Sequence, residues 1–199
     1  MTIPRTTLAL AAAATLALPA LAQGPNTWNI DPNHSSAGFS VRHMMVSTVR
    51  GTLGPVKGTI EYDGKSVESV KVDVTIDVNG INTGNESRDK DLRSADGLFE
   101  VAKYPTITFK SKRAVAGAAG TFKLVGDLAI HGVTKEVTLD VEGPSAPVKQ
   151  GPMLRAGASA TTTVNRKDFG LSYNRMVEAA PVVSDDVKIT IDVEAIRKG

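Results

Sequence analysis

Apolar and polar residues alternate along most of this chain, most regularly between residues 67 and 78. There Val72, Val74 and Ile76 take every second position, and Asp or Thr residues stand between them. Successive side chains of an extended strand point to opposite faces, so this pattern predicts a β-strand with one apolar and one polar face. Such a strand must bury its apolar face, and the other strands indicate how.

The same period of two predicts eight strands in all, joined mostly by short turns. They are expected near residues 36–46, 49–62, 67–78, 106–113, 121–130, 133–142, 153–164 and 186–196. Gly54-Pro55 interrupts the second strand and indicates a bulge or a sharp bend, which is a device that curves sheets. Trp28, the single tryptophan, precedes the first strand, and we interpret it as a plug at one barrel end rather than a ligand contact.

One short helix is predicted between residues 85 and 95. Thr83 and Glu86 stand three positions apart, as in a capping box, and Arg88, Leu92 and Ala95 follow at helical spacing. Together with the turn after it, this helix is too small to cover eight strands. Closing the sheet on itself buries the apolar face and removes both edges. The sequence therefore predicts an all-β fold, an extended eight-stranded antiparallel barrel with one short helix in a lid segment; a two-layer sandwich is the alternative.

The interior of an eight-stranded barrel is either filled by side chains or wide enough for one small ligand. Ala156, Ala158 and Ala160 form a row of small residues on one inward face, and Gly58 and Gly126 add further thin places. This favours an open interior that takes an apolar guest, because burial of apolar surface is favourable by ~25 cal/mol per Å². A packed core without a ligand stays possible on these residues alone.

Composition excludes several other classes of protein. The 199 residues are 41% hydrophobic and 22% charged, as in an ordinary globular protein. The net charge is only +2 and the basic residues are scattered, so the basic stripe of a nucleic-acid-binding protein is missing. The chain has no cysteine, which excludes disulfides, thiol catalysis and thiolate metal sites.

Residues 1–22 have the pattern of a secretory signal peptide. Arg5 precedes an apolar run from Leu8 to Leu18, and Ala20-Leu21-Ala22 provides a cleavage site. The apolar run of about 11 residues is shorter than the ~20 that span a bilayer, so stable membrane insertion is not expected. We predict that residues 23–199 are the mature domain and that it is exported to the periplasm.

Seven short motifs extend over nearly the whole mature region. They are Trp-Asn-Ile-Asp at 28–31, Phe-Ser-Val-Arg-His at 39–43, Asp-Leu-Arg-Ser-Ala-Asp at 91–96, Tyr-Pro-Thr-Ile-Thr-Phe at 104–109, Gly-Asp-Leu-Ala-Ile-His-Gly-Val-Thr-Lys at 126–135, Asn-Arg-Lys-Asp-Phe-Gly-Leu at 165–171 and Val-Ser-Asp-Asp-Val at 183–187. In this order and spacing the chain resembles the YceI-like family of exported lipid-binding proteins. The run Gly97-Leu98-Phe99 departs from the family's usual Asp-Phe-Leu, which leaves open which aromatic residue closes the pore.

The resemblance implies a lipocalin-like barrel whose long hydrophobic pore binds a polyisoprenoid or a similar long-chain amphiphile. The family is not known for a catalytic activity, so we expect a binding and carrier protein that is not an enzyme. We expect no cofactor, and a bound isoprenoid-like or fatty lipid as the ligand. An enzyme acting on a lipid or quinone in the same cavity and a ligand-free structural module remain as alternatives. The oligomeric state, a homodimer included, stays open.

The predicted ligand-binding residues combine the inward-facing apolar positions with a few polar groups of the family motifs. They are Phe39, Val41, His43, Ile60, Val74, Ile76, Leu92, Phe99, Ile107, Phe109, Leu124, Leu128, Leu139, Ala158, Arg166, Phe169 and Ile189. The polar head of the ligand should lie near a barrel mouth. Leu92 and Phe99 are predicted on the lid, as mobile gate residues or as static cover. Arg166 either binds the head group or pairs with Asp168.

The three histidines do not form a predicted metal or catalytic site. His34 and His43 lie ~30 Å apart along one extended segment and have opposite parity, and His131 falls in a turn. We therefore expect separate polar contacts. His43 shares the inward parity of Phe39 and Val41, so it is the polar group most clearly directed into the cavity; it would be the acid–base group of the enzymatic alternative.

Overall fold

The computed structural model describes residues 24–95, 98–172, 176–177 and 180–199, without the side chains of 176–177 and 180–181. The predicted signal peptide at 1–22 lies outside the described residues and stays a prediction. Within the described residues no helix is long and apolar enough to cross a membrane.

β-Strands are the main secondary structure of the described residues. They are β1 (Thr27–Ile30), β2 (Ser36–His43), β3 (Ser47–Thr52), β4 (Val56–Glu61), β5 (Lys71–Asp77), β6 (Thr106–Ala116), β7 (Thr121–Ile130), β8 (Val133–Glu142), β9 (Val148–Gln150), β10 (Met153–Asn165), β11 (Met176–Val177), β12 (Ala180–Pro181) and β13 (Asp186–Lys198). Helix α1 spans Glu86–Arg93, and short 3₁₀ helices span Val67–Ser69, Val78–Gly80 and Arg166–Phe169.

The strands close into an eight-stranded antiparallel barrel, as predicted. The ring runs β13-β1-β4-β5-β6-β7-β8-β10, and β10 pairs with β13 to close it. Strand β2 follows β1 along the same neighbour, β13, so that β1 and β2 pair with successive parts of that strand. Strand β3 precedes β4 in the chain and pairs with β2. The predicted interruption at Gly54-Pro55 separates β3 from β4. The sandwich alternative is therefore wrong, because one continuous sheet encloses the interior.

Strand β10 forms a long ladder with one neighbour and a short ladder, or seam, with the other. Strand β10 pairs with β13 over its whole length, from Met153↔Lys198 to Asn165↔Asp186. Its pairing with β8 covers only the three residues Ser159, Ala160 and Thr161. The β8–β10 seam therefore has fewer ladder hydrogen bonds than the β10–β13 seam.

One strand was missed by the sequence analysis, and the predicted start of the helix was inaccurate. Strand β1 was not predicted because four residues are too few to display a period of two, yet Trp28 and Ile30 both point inward and are buried. Helix α1 begins at Glu86 without a capping box. The Asn85 side chain is the N-cap and accepts a hydrogen bond from the Arg88 N–H, whereas the Thr83 hydroxyl donates to the buried carboxylate of Asp89 at 2.5 Å.

The glycines on inward rows do not widen the interior, contrary to expectation. A Cβ on Gly126 would come within 2.6 Å of the Phe109 ring, so an aromatic side chain already covers this position. Gly58 has φ +149°, and a Cβ there would approach the Asp73 carbonyl oxygen to 2.1 Å. Both glycines serve close packing of neighbouring groups, and the open space depends on the alanine row instead.

Candidate functional site

Two adjoining cavities occupy the barrel interior. Cavity 1 has a volume of about 150 Å³ and cavity 2 a volume of about 260 Å³. Both cavities are lined by Leu53, Ile107, Ile130 and Ile189. These four side chains mark the boundary between the cavities, which we call the neck. The interior is thus elongated and divided into two compartments rather than packed solid.

The wall of cavity 1 is almost wholly apolar. The row of Ala156, Ala158 and Ala160 on β10 lines it, as the alternation predicted. Across the β10–β13 ladder, Ala158 lies opposite the larger Val193 and Ala160 opposite the larger Ile191, whereas Ala156 lies opposite Ala195. Small side chains on one strand therefore leave space beside the medium-sized side chains of the next. A dry apolar cavity of this kind accepts apolar guests, because no buried polar group has to be left unpaired.

Trp28 lies at the end of cavity 1 that is remote from the neck. It pairs with Ile60 across β1 and β4, and its ring stacks against the Arg197 guanidinium, 4.8 Å from the ring centre. The indole ring covers this end, as expected for a plug, and is also part of the cavity wall. A ligand tail that reaches this end would therefore touch Trp28.

Cavity 2 lies at the opposite end of the barrel, beneath the lid. Leu92 of α1 and the following Leu98 and Phe99 cover it, while Phe39 and Val41 of β2 form part of its barrel wall. The Phe99 N–H donates to the Leu92 carbonyl oxygen at 3.1 Å, which ties the segment after α1 back to the helix. The described residues of the predicted lid therefore line cavity 2 and not cavity 1.

Cavity 2 also has polar groups in its wall: His43, Thr83, Arg88 and Arg166. The Arg88 guanidinium donates to the hydroxyl of Thr83 at 2.7 Å and to its carbonyl oxygen at 2.9 Å. Among the described residues Arg88 forms no ion pair with a carboxylate. Half-buried Arg88 thus brings a guanidinium to the wall of cavity 2, and the Thr83 hydroxyl that it contacts donates in turn to the Asp89 carboxylate.

Arg166 is held by protein groups. Its side chain is 3% exposed, and it donates to Asp185 Oδ1 at 2.8 Å, to the Ser184 carbonyl oxygen at 3.1 Å and to the Leu171 carbonyl oxygen. Its acidic partner is therefore Asp185, not the predicted Asp168. Lys167 also pairs with Asp185, at 2.7 Å, and this contact and the nearby guanidinium lower the pKa of the Asp185 carboxyl below its usual value.

Comparison with known proteins shows the family to which this barrel belongs. The YceI-like domain family matches residues 28–195. This chain belongs to the YceI-like family. UPF0312 protein SA2479 of Staphylococcus aureus strain N315 is 35% identical to this YceI-like protein, over 84% of this chain and 95% of the relative.

Solved structures agree with the barrel. The crystal structure of the Campylobacter jejuni YceI protein has a TM-score of 0.67 at 32% identity and covers 79% of this chain and 90% of its own. A polyisoprenoid-binding domain from Saccharophagus degradans, implicated in plant cell wall breakdown, has a TM-score of 0.59 at 21% identity and covers 84% of this chain and 97% of its own. At that identity the second likeness supports the fold alone.

All of the residues predicted to bind a ligand in this YceI-like protein line one of the two cavities. Cavity 1 is lined by Ile60, Val74, Ile76, Phe109, Leu124, Leu128, Leu139 and Ala158; cavity 2 by Phe39, Val41, His43, Leu92, Phe99, Arg166 and Phe169; both by Ile107 and Ile189. Contact of these residues with a ligand stays a prediction. Sequence reasoning missed Arg88, although it stands one helical turn before Leu92, a spacing that places both on one face of α1.

The three histidines of this YceI-like protein lie in separate surroundings. His43 lines cavity 2, and His131 Nε2 lies 3.1 Å from Glu100 Oε1 with its ring against Tyr104. His34 Nδ1 lies 2.9 Å from Asp31 Oδ2.

His34 belongs to a cluster that sequence spacing did not reveal. Asp31, His34 and Glu194 bring ligand-type atoms within 4.8 Å of one another, as a metal site requires. However, Arg155 Nη1 already contacts both carboxylates, at 3.1 Å from Asp31 Oδ2. The cluster is therefore an ion-pair network in which the Arg155 guanidinium supplies the positive charge that a metal ion would otherwise supply. The His34 hydrogen bond, with smaller contributions from Asn33 and Arg155, lowers the pKa of Asp31 to about 2.

Proposed function

We propose that this protein binds a polyisoprenoid or a similar long-chain amphiphilic lipid inside the barrel and carries it through the periplasm. The observation that carries the proposal is the pair of adjoining cavities, one almost wholly apolar and the other with charged and polar groups in its wall. An amphiphile has the same division between tail and head.

The length of the interior favours a long chain. Strand β13 lines cavity 2 at Val187 and cavity 1 as far as Ala195. At ~3.3 Å per residue these positions are ~26 Å apart along the strand. An extended ligand of this length would pass the neck at Ile189 and reach toward Trp28.

The distribution of charge favours one orientation of the ligand. Arg88 and His43 line cavity 2, whereas none of the described residues that line cavity 1 is charged. At the barrel end near Trp28, Arg155 pairs with Asp31 and Glu194, and the Arg197 guanidinium stacks on the Trp28 ring. A phosphate or carboxylate head would therefore lie beneath the lid near Arg88, with the tail in cavity 1, because a guanidinium forms strong hydrogen bonds to anionic oxygens.

Family membership supports binding rather than catalysis. The Saccharophagus degradans neighbour is described as a polyisoprenoid-binding domain, and its barrel is the same fold. The assignment of that ligand class to this chain, the periplasmic location and the carrier role are our proposal.

The first experiment is mass spectrometry of organic extracts from the folded, purified protein, followed by titration with a long prenyl phosphate. Trp28 is the only tryptophan and lines cavity 1, so its fluorescence should report arrival of the tail. We expect an extracted lipid, or a saturable change in Trp28 emission. Absence of both would refute the proposal.

Matched comparisons test the orientation and the absence of catalysis. Arg88→Gln should weaken binding of the prenyl phosphate more than tenfold but leave binding of the neutral prenyl alcohol nearly unchanged.

The bound lipid should be recovered chemically unaltered after long incubation with the protein. Turnover that stops in His43→Ala while binding persists would instead support the enzymatic alternative.

A further inference from the structure

The turn between β2 and β3 exposes three consecutive large apolar side chains. Met44 is 42% exposed, Met45 62% and Val46 82%. Among the described residues the other exposed large apolar side chains, Val115 and Val148, lie on separate strands. Single exposed apolar residues are common, whereas a contiguous group marks an interaction surface. We name residues 44–46 the hairpin tip.

The backbone of the hairpin tip is unusual for the residues it contains. Met44 has φ 48° and Met45 φ 58°, and the Val46 N–H donates to the His43 carbonyl oxygen at 2.9 Å. Two left-handed central residues with this hydrogen bond make a turn of type I′, in which Asn-Gly is strongly preferred at the two central positions. Unbranched apolar side chains therefore occupy positions where local backbone energetics favour small polar residues, which indicates a role outside the fold itself.

The hairpin that bears the tip is positively charged. From residue 32 to residue 60 the chain has no Asp or Glu, but it has Arg42 and Arg50, both exposed and both near the tip. The Arg42 guanidinium donates to the Met45 carbonyl oxygen at 2.8 Å and to the Thr48 hydroxyl at 2.9 Å, which holds its charge against the turn. On the adjoining segment, the carboxylate of Asp185 is already paired with Arg166 and Lys167, and Asp186 is exposed.

The tip stands at the lid end of the barrel, which we call the mouth of cavity 2. His43, the residue before Met44, lines this cavity, and so do Val41 and Val49 in the two strands of the hairpin. The Met44 N–H donates at 2.9 Å to the carbonyl oxygen of Val182, another lining residue. The apolar group and the mouth therefore face the same end of the barrel.

We propose that the hairpin tip docks on the surface of a lipid bilayer that contains anionic lipids, with Met44, Met45 and Val46 in the headgroup region and Arg42 and Arg50 near the lipid phosphates. Apolar residues beside arginines are the combination that binds such an interface. Docking places the mouth of cavity 2 against the membrane from which a lipid would enter. This inference rests on the proposed function for its purpose, but the docking itself is measurable without it.

The test is co-sedimentation of the mature protein with vesicles of phosphatidylglycerol and phosphatidylcholine, compared with vesicles of phosphatidylcholine alone. We expect binding to the mixed vesicles that weakens at high salt, because Arg42 and Arg50 contribute electrostatically. The decisive variant is Met44→Asn/Met45→Gly/Val46→Thr. It gives the turn its preferred residues, so the protein should fold at least as well, yet it should bind the mixed vesicles at least tenfold more weakly.

The control variant is Val148→Thr, which replaces an apolar side chain that is 66% exposed near the opposite end of the barrel and leaves the net charge unchanged. It should bind vesicles like the wild type. Equal vesicle binding by the tip variant, or no vesicle binding by the wild type, would overturn the inference. Loss of a dimer in the tip variant without any vesicle binding would overturn it in favour of self-association.

Uptake of a prenyl phosphate delivered from cyclodextrin separates this inference from the proposed function. The tip variant should retain uptake from cyclodextrin and lose uptake from vesicles. A wild-type protein that binds vesicles but takes up no lipid from either source would refute the proposed function and leave the docking intact.

Discussion

Arg166 and Asp185 form an ion pair, with 2.8 Å between Nη2 and Oδ1, across 19 positions of sequence. The same guanidinium donates to the carbonyl oxygens of Ser184 and Leu171. It therefore fastens the segment after β10 to the segment before β13, beside cavity 2.

Arg166→Met should lower the free energy of unfolding by about 2–4 kcal/mol, because it leaves buried carbonyl oxygens and a carboxylate without their donor. Urea denaturation measures this change. The control is Lys167→Met: Lys167 pairs with the same carboxylate but is exposed, so its loss should cost at most ~1 kcal/mol. An Arg166→Met protein of normal stability that no longer binds a prenyl phosphate would show instead that Arg166 serves the head group.

Ala158→Phe should reduce uptake of a long prenyl phosphate at least tenfold, because the ring would fill the space left by the alanine row of cavity 1. Overpacking should cost about 1–3 kcal/mol of stability. Trp28 fluorescence and urea denaturation give the two quantities separately. Thr161→Phe is the control, since Thr161 lies on the same strand and is exposed. Undiminished affinity in Ala158→Phe would mean that the tail does not occupy cavity 1.

Ile189→Phe should change the preferred chain length of the ligand. Ile189 lines both cavities and lies opposite Phe39 in the β13–β2 ladder, so a larger side chain there would narrow the neck. Prenyl phosphates long enough to pass the neck should lose affinity at least tenfold, while short ones that fit in cavity 2 should bind as before. Titration with a series of chain lengths tests this, and a uniform loss across the series would contradict it.

Protonation of the Asp31 carboxylate in acid should lower the free energy of unfolding. Its pKa in the folded state is lowered from 3.8 to about 2, chiefly by the His34 hydrogen bond. A carboxylate with a depressed folded-state pKa stabilises the fold fully above its unfolded-state pKa and loses this effect as the pH falls through the folded-state pKa. Asp31→Asn should therefore be less stable than the wild type at pH 7, and the difference should shrink as the pH falls from about 4 to about 2. Urea midpoints across this range measure the effect, and a difference independent of pH would count against the ion-pair network.

Sequence patterns were sufficient to predict which side chains face the interior, because that property depends on local alternation. The inward parity of Val74, Ala158 and Ile189 follows from the period of two, and each lines a cavity as predicted. The patterns failed where partners are distant along the chain. Nothing near Arg166 indicates that its partner is Asp185 rather than Asp168, and nothing near Asp31 indicates Arg155 and Glu194.

The sequence by itself determined the strands, their apolar faces and the family, because each depends on residues a few positions apart or on motifs read in order. Only the tertiary structure decided that the interior is divided at a neck, that the polar groups lie in cavity 2 and that the hairpin tip stands beside its mouth. These properties depend on which strands are neighbours around the closed ring, and closure brings together residues that no local pattern relates.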